Sequence, residues 1–255
     1  MTTHIRAAGE FCWTNMLTPK PEEAKAFFGG LFGWTFKDMA GLGDVVRLDG
    51  HDIGGLFDLH GMNTPKDARA GFGVMVKVDD VDGAAAKLAA LGGTHKEPFD
   101  IFTQGRMAVC HDPNGAEFDL WQPKKMQGFD VDPRKHGAPT WFETLTSDTA
   151  RATTFYEQLF GWTAKTSAMP GGVHYTVFSH AGRDVAGLMA IPEGMSAPPH
   201  WGVYFTVTSV DTSVATAMSL GGTTCVPIRE IPRVGRFAGL ISPQGVMFYV
   251  LEYSA

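Results

Sequence analysis

Glu143 stands between Trp141 and Leu145 in the run Trp141-Phe142-Glu143-Thr144-Leu145. In a strand, where alternate side chains share a face, those three residues point the same way. A carboxylate in such company is costly to bury unless it is paired or protonated, so Glu143 is the candidate catalytic base or ligand-orienting group. Asp119 has a similar setting between Glu117 and Trp121. The same alternation puts Trp13 with Asn15, His200 with Tyr204, and Met247 with Tyr249 and Leu251. Rings and methionines around a few polar groups make a cleft for flat or amphipathic small molecules, though the same rings can simply fill space. Arg106 and Arg236 recur in the two halves of the chain, placed either to pair with a carboxylate or to hold a substrate anion. The expected ligand contacts are therefore Trp13, Asn15, Arg106, Asp119, Trp121, Trp141, Glu143, His200, Tyr204, Arg236 and Tyr249.

Other chemistries find less support. The nine histidines include no His-x-His or His-x3-His pair, and the three cysteines, Cys12, Cys110 and Cys225, are far apart with no CxxC. Neither a disulfide framework nor a thiolate zinc site is expected, and a reducing cytoplasmic location fits best. A net charge of -6 without any basic run argues against nucleic acid or an anionic membrane as partner. The N-terminal residues lack a charged-then-apolar signal pattern, and no stretch is long and apolar enough for a transmembrane helix.

The elements that must position these residues come twice. Phe32-Gly33-Trp34 returns as Phe160-Gly161-Trp162, and Gly105-Arg106-Met107-Ala108 followed by Asp112-Pro113-Asn114-Gly115 returns as Gly235-Arg236-Phe237-Ala238 followed by Ser242-Pro243-Gln244-Gly245. A period of about 130 residues is one ordinary domain, so the chain is a tandem duplication of its 255 residues. Periodicity inside each copy runs strand, helix, strands, and then starts again, which predicts four βαβββ modules and an α+β fold. Pro19 and Pro21 open the first helix, Asp80 and Ser209 are placed as N-caps, and Gly92-Gly93 and Gly221-Gly222 end helices. Residues 9–124 and 139–255 form the expected domains, joined by a polar, break-rich linker at 125–138.

Four βαβββ units, the Phe-Tyr-x-x-Leu-Phe-Gly-Trp run at 155–162, the Val-Asp pairs at 81–82 and 210–211, and Asp112-Pro113-Asn114-Gly115 together resemble the vicinal oxygen chelate superfamily. That group includes glyoxalase I, extradiol dioxygenases, fosfomycin-resistance enzymes and bleomycin-binding proteins. The tandem form is most similar to two-domain glyoxalase-like proteins such as a mycobacterial antigen. The resemblance implies curved sheets around clefts, with a divalent metal in the enzymes, held by residues of first and last module strands. Here those slots fall on Trp13, near Gly73, on Trp141 and near Gly202, then on Gly55-Leu56, Asp119, Gly187-Leu188 and Tyr249. Asp119 alone is an ordinary ligand type, short of the usual three donors, so a metal-free cleft is expected. Three functions compete. The first is binding of a small, partly aromatic molecule, for sequestration or for carboxylate acid–base chemistry. The second is a lyase, isomerase or dioxygenase using zinc, nickel, iron or manganese, with Asp119 joined by Glu117, Glu143 or His200. The third is a non-catalytic scaffold for a protein partner. The chain is expected to act as a monomer or homodimer, and the contrast of Asn15 with Glu143 favours the second copy for any activity.

Overall fold

The computed structural model describes residues 6–62, 64, 68–169 and 171–254. Its first module comprises β1 (Phe11–Thr18), α1 (Pro21–Phe32), β2 (Thr35–Asp38), β3 (Asp44–Leu48) and β4 (His51–Asp58). The second comprises β5 (Gly71–Lys77), α2 (Val81–Ala90), β6 (Thr94–His95), β7 (Phe99–Ile101), β8 (Gly105–His111) and β9 (Glu117–Pro123). The third holds β10 (Pro139–Thr146), α3 (Thr149–Phe160), β11 (Thr163–Ala168), β12 (His174–His180) and β13 (Arg183–Ala190). The fourth holds β14 (His200–Thr206), α4 (Val210–Ser219), β15 (Thr223–Ile231), β16 (Gly235–Ile241) and β17 (Met247–Tyr253). Strands β6 and β7 both pair with β8 and correspond to the unbroken β15; Pro98 at the break is matched by Pro227 inside β15.

Two mixed, curled sheets result, each built within one repeat. The first runs β2-β3-β4-β1-β5-β9-β8-β6 and the second β11-β12-β13-β10-β14-β17-β16-β15. At each centre a first strand lies parallel to the last strand of its module and antiparallel to the next module's first strand. The helices start as the residue types require. Pro21 occupies the first turn of α1, while Asp80, Asp148 and Ser209 accept from the backbone N–H of Gly83, Arg151 and Thr212. Gly33 and Gly161 close α1 and α3 at φ of 71° and 70°, the left-handed region a β-carbon disfavours.

Alternation divides each sheet between two environments. Phe118, Leu120, Phe248 and Val250 face the helices and join one core shared by both repeats. Phe11 stacks on Phe142 at 4.2 Å where the two first strands meet, and Phe28 of α1 reaches Phe248 of the other repeat at 5.2 Å. The opposite faces hold separate small clusters: Cys12, Trp13, Met75, Met107 and Trp121 on the first sheet, and Tyr204, Tyr249 and Leu251 on the second.

The repeated Phe-Gly-Trp serves this joint. Trp34 Nε1 donates to the Gly137 carbonyl at 2.9 Å, and Trp162 Nε1 donates to the Gly9 carbonyl at 2.8 Å. Each indole thus bonds the segment entering the first strand of the other repeat. One half of the joint adds a buried polar chain, in which Tyr156 donates to Asp112 Oδ2 at 3.0 Å and accepts from Trp201 Nε1 at 3.1 Å. The corresponding residues in the other half are Phe28, Ser242 and Phe72, so the polar partners come and go together, as burial demands.

The linker departs from expectation. Instead of a polar spacer, residues 125–138 bury Phe129, Val131 and Ala138 in the shared core, and the Phe129 N–H donates to the Cys12 carbonyl at 2.9 Å. Among the described residues no helix is long and apolar enough to cross a membrane.

Candidate functional site

On the open face of the second sheet, strand register lines up Trp141 with Tyr204, and Glu143 with Gly202 on one side and Gly187 on the other. The Glu143 side chain is 5% exposed. Tyr175 donates to its Oε2 at 2.7 Å, and Tyr204 donates to its Oε1 at 3.0 Å. Trp141 Nε1 donates in turn to the Tyr175 hydroxyl at 3.0 Å, completing a chain from indole to phenol to carboxylate. Burial pushes the Glu143 carboxyl above its ordinary range, and the two tyrosine donors pull it back by favouring the charged form. The Tyr175 and Tyr204 hydroxyls are held well above theirs, by burial first and by the neighbouring carboxylate second.

This bowl is largely closed. Tyr204 and Tyr249 stack at 4.4 Å, a β-carbon on Gly202 would come within 2.8 Å of the Tyr249 ring, and one on Gly187 would strike the Tyr175 hydroxyl. Tyr175 is the functional neighbour the sequence reading lacked. Its signal was weak, namely a face shared with Val177 opposite the glycine at 187. His200 belongs to the next row, opposite Leu145, and does not bond Glu143. Its Nδ1 lies 2.8 Å from the Pro198 carbonyl, which can only accept, so Nδ1 carries the proton. The other nitrogen, Nε2, is buried without a partner.

The first sheet offers the contrast. Trp13, Met75 and Asp119 form one row across β1, β5 and β9. Asp119 is 9% exposed, and among the described residues its carboxyl has neither hydrogen bond nor ion pair. Burial pushes it up to about 8, helped by nearby Glu117 and opposed by Lys96. One row on, Asn15 faces Gly73, and a β-carbon there would find nothing nearer than the Asn15 carbonyl at 3.7 Å. Aspartate at 119 is short where tyrosine at 249 covers its glycine, so the floor beside Asp119 stays open. Trp13 also lines a cleft of about 380 Å³ with Arg47, His51, Gln127 and Asp130.

Several expected site residues sit elsewhere or are already engaged. Arg106 holds Asp82 through two hydrogen bonds, at 2.9 and 2.8 Å, and Arg236 holds Asp211 at 2.7 and 3.2 Å. Both pairs tie a strand to the first turn of α2 or α4 on the helix side of the sheet, so these arginines are structural and do not enter the bowls. Trp121 is 1% exposed, with its indole N–H given to the Met126 carbonyl at 2.9 Å, so linker backbone covers it. In the second copy, expected to carry any activity, Glu143 has both oxygens satisfied, while the open floor and a carboxyl without a hydrogen bond among the described residues are in the first copy.

The residues present do not fit the divalent metal of the enzymes in the superfamily. Among the described residues no three His, Cys, Asp or Glu side chains converge. Asp119 and Glu143 lie on different sheets, Glu117 is 3.3 Å from His111, and Glu252 accepts the Val210 N–H at 2.8 Å. A catalytic zinc or similar ion takes about three protein donors with one position left open.

Residues 13–121 match the glyoxalase-like domain, and residues 139–247 match the glyoxalase/bleomycin resistance protein/dioxygenase superfamily. CFP32 of Mycobacterium tuberculosis, named for a conjectured glyoxylase activity, is 33% identical over 246 residues, covering 94% of this chain and 93% of its own. The anthracycline biosynthesis protein DnrV of Streptomyces peucetius is 30% identical over 262 residues, covering 96% and 94%. Among solved structures, the Mn(II)-bound glyoxalase of Novosphingobium aromaticivorans has a TM-score of 0.67 at 15% identity, over 96% of this chain and 82% of that one. The 2,3-dioxygenase LapB of Pseudomonas sp. KL28 has the same TM-score and identity, over 99% and 94%. At that identity the two structures speak for the fold alone.

Proposed function

The chain belongs to the glyoxalase/bleomycin resistance protein/dioxygenase superfamily, with two such domains in tandem, and on that footing we propose that it binds a small, partly aromatic molecule without a metal. The binding face is the open side of the first sheet. One observation carries this reading: Asp119, nine-tenths buried and without a partner, beside Trp13 and the uncovered floor at Gly73. Ring faces supply area and a lone polar group supplies orientation, the usual economy of a small-molecule site. A relative named for anthracycline biosynthesis makes planar ring systems sensible first probes. Titrating the protein with a panel of such compounds while following tryptophan emission tests the proposal. Saturable quenching that survives exhaustive chelation and disappears in Trp13→Ala is expected. Quenching that needs zinc, nickel, iron or manganese added back would overturn the metal-free reading and revive the metal-dependent enzyme.

A second reading rests on the Trp141–Tyr175–Glu143 chain. A buried carboxyl held above its ordinary range, with partly exposed Trp141 and Tyr175 leading to it, is suited to taking and returning a proton. Turnover of any bound compound that falls at least about a hundredfold in Glu143→Gln, with binding unchanged, would support acid–base chemistry in the second repeat. Unaltered turnover in that variant would refute it.

A further inference from the structure

We infer that the open bowl of the first repeat takes an organic cation, an alkylammonium group on an aromatic or apolar body, with its charge set on Asp119. The inference rests on the proposal that this bowl binds small molecules, and it names their class. Folding places a carboxyl under nine-tenths burial and gives it no donor, although buried carboxyls elsewhere in the chain are met. Glu143 has two tyrosines, and Asp112 has Tyr156 and the backbone N–H groups of Asn114 and Ala116. Neither of its oxygens is among the fully enclosed atoms left without a partner, so the carboxyl is reached from the open side of the sheet, where water or a ligand meets it.

The surroundings decide which kind of donor. Trp13 and Met75 stand in the row of Asp119 on this face, while linker backbone covers Trp121. Ring faces and methionine attract an alkylammonium, whose charge is spread over C–H groups, more readily than a strongly hydrated ion. One carboxyl neutralises one positive charge, whereas a divalent metal calls for about three donors that are not there. The remaining charges nearby tilt the same way. Glu117, two residues along the strand on the same face, adds negative potential against Lys96, and Lys77, also on this face, is engaged with Gln127 at 3.3 Å. Gly73 leaves room for the body of the ligand beside the carboxyl, since a β-carbon there would meet nothing nearer than 3.7 Å.

Three matched probes separate charge from shape: naphthylmethylammonium, the neutral naphthylmethanol and the anion naphthoate, each titrated into the whole chain by tryptophan quenching and calorimetry at about pH 8.5, above the value at which Asp119 gives up its proton. A charge-assisted contact in a shielded site should make the ammonium tighter than the alcohol by about tenfold to a hundredfold. Asp119→Asn keeps the size and retains a hydrogen-bond donor while removing the charge, so it should erase that preference. Gly73→Leu, which fills the open floor from a position where a β-carbon meets only ordinary contacts, should weaken both probes; far-UV circular dichroism checks that each variant is folded. Equal affinities for ammonium and alcohol, or an ammonium preference that persists in Asp119→Asn, would overturn the cation while leaving small-molecule binding intact. Tightest binding of naphthoate would overturn it as well. If no probe quenches and planar compounds at large also fail, the binding proposal falls and this inference with it.

Discussion

Asp119→Asn should stabilise the protein by an amount that grows with pH. In the folded chain the Asp119 carboxyl keeps its proton up to about 8, whereas in the unfolded chain it loses it near 3.8. Between those values the folded state binds more protons than the unfolded state, so stability from this group is full below the lower value and is lost as pH rises toward the upper one. Each pH unit in that window is worth about 1.4 kcal/mol, which puts the cost at pH 7 on the order of 4 kcal/mol. A protein interior that relaxes around a new charge is more polar than a rigid one, so a measured figure of roughly 2–4 kcal/mol is expected. Asparagine is nearly the same size and carries no charge, but its amide is unmet in turn, at about 1 kcal/mol. The two proteins should therefore be close in stability at pH 5 and diverge above it. Urea unfolding at pH 5, 6, 7 and 8 measures the gap directly, and subtraction removes every titration the two proteins share, including that of Glu143. A gap that stays flat across the series would mean that Asp119 ionises as a solvated carboxylate. That result would refute both its isolation and its fitness to receive a ligand's charge.

Other perturbations test the joint and the closed bowl. Tyr156→Phe should cost about 2–3 kcal/mol in urea unfolding, because the ring fits where Phe28 already sits in the other half, yet Asp112 and the Trp201 N–H lose their shared partner; a loss under about 0.5 kcal/mol would show that the network contributes nothing. Trp162→Phe should cost about 1–3 kcal/mol by leaving the Gly9 carbonyl unmet, and fluorescence and far-UV signals should still unfold together because one core spans both repeats. Two separate transitions would contradict a shared core. Tyr175→Phe removes a donor from the ionised form of Glu143, so that carboxyl should move further up and the variant should lose stability relative to the parent as pH rises above the ordinary carboxylate range. An unchanged pH profile would deny that Tyr175 holds the charged form.

The fold was legible because its signals are redundant. Alternation in residues 116–122 and 246–252, cap residues at Asp80 and Ser209, and the double Phe-Gly-Trp all point to the same four modules, and any one could fail without changing the answer. Side-chain partners were less so, because they depend on which strands become neighbours. Arg106 and Arg236 carried the same charge and repeat position whether they served a substrate or a helix start, and only the approach of Asp82 and Asp211 decides it. Tyr175 was invisible as a partner of Glu143 because the two are joined through Gly187 on an intervening strand. Trp121 reads as a ring on the open face, which it is, but the linker that covers it lies in a segment whose composition resembles a spacer.

Duplication supplies two copies of one scaffold, and comparing equivalent positions shows what each copy did with its buried polar groups. At the joint, Asp112 and Tyr156 stand against Ser242 and Phe28: the polar pair is complete in one half and absent from the other. In the second bowl, Glu143 replaces the asparagine of the first and arrives with Tyr175 and Tyr204 to satisfy it, while Tyr249 covers the glycine floor. Each of these changes keeps buried polarity matched, as stability alone would require. Asp119 differs from the other buried carboxyls: it stands where the other copy has Tyr249, and among the described residues no donor has come with it. A carboxyl that costs stability on the order of kcal/mol at neutral pH, beside an uncovered glycine and a tryptophan, is where the proposed ligand would bring its charge.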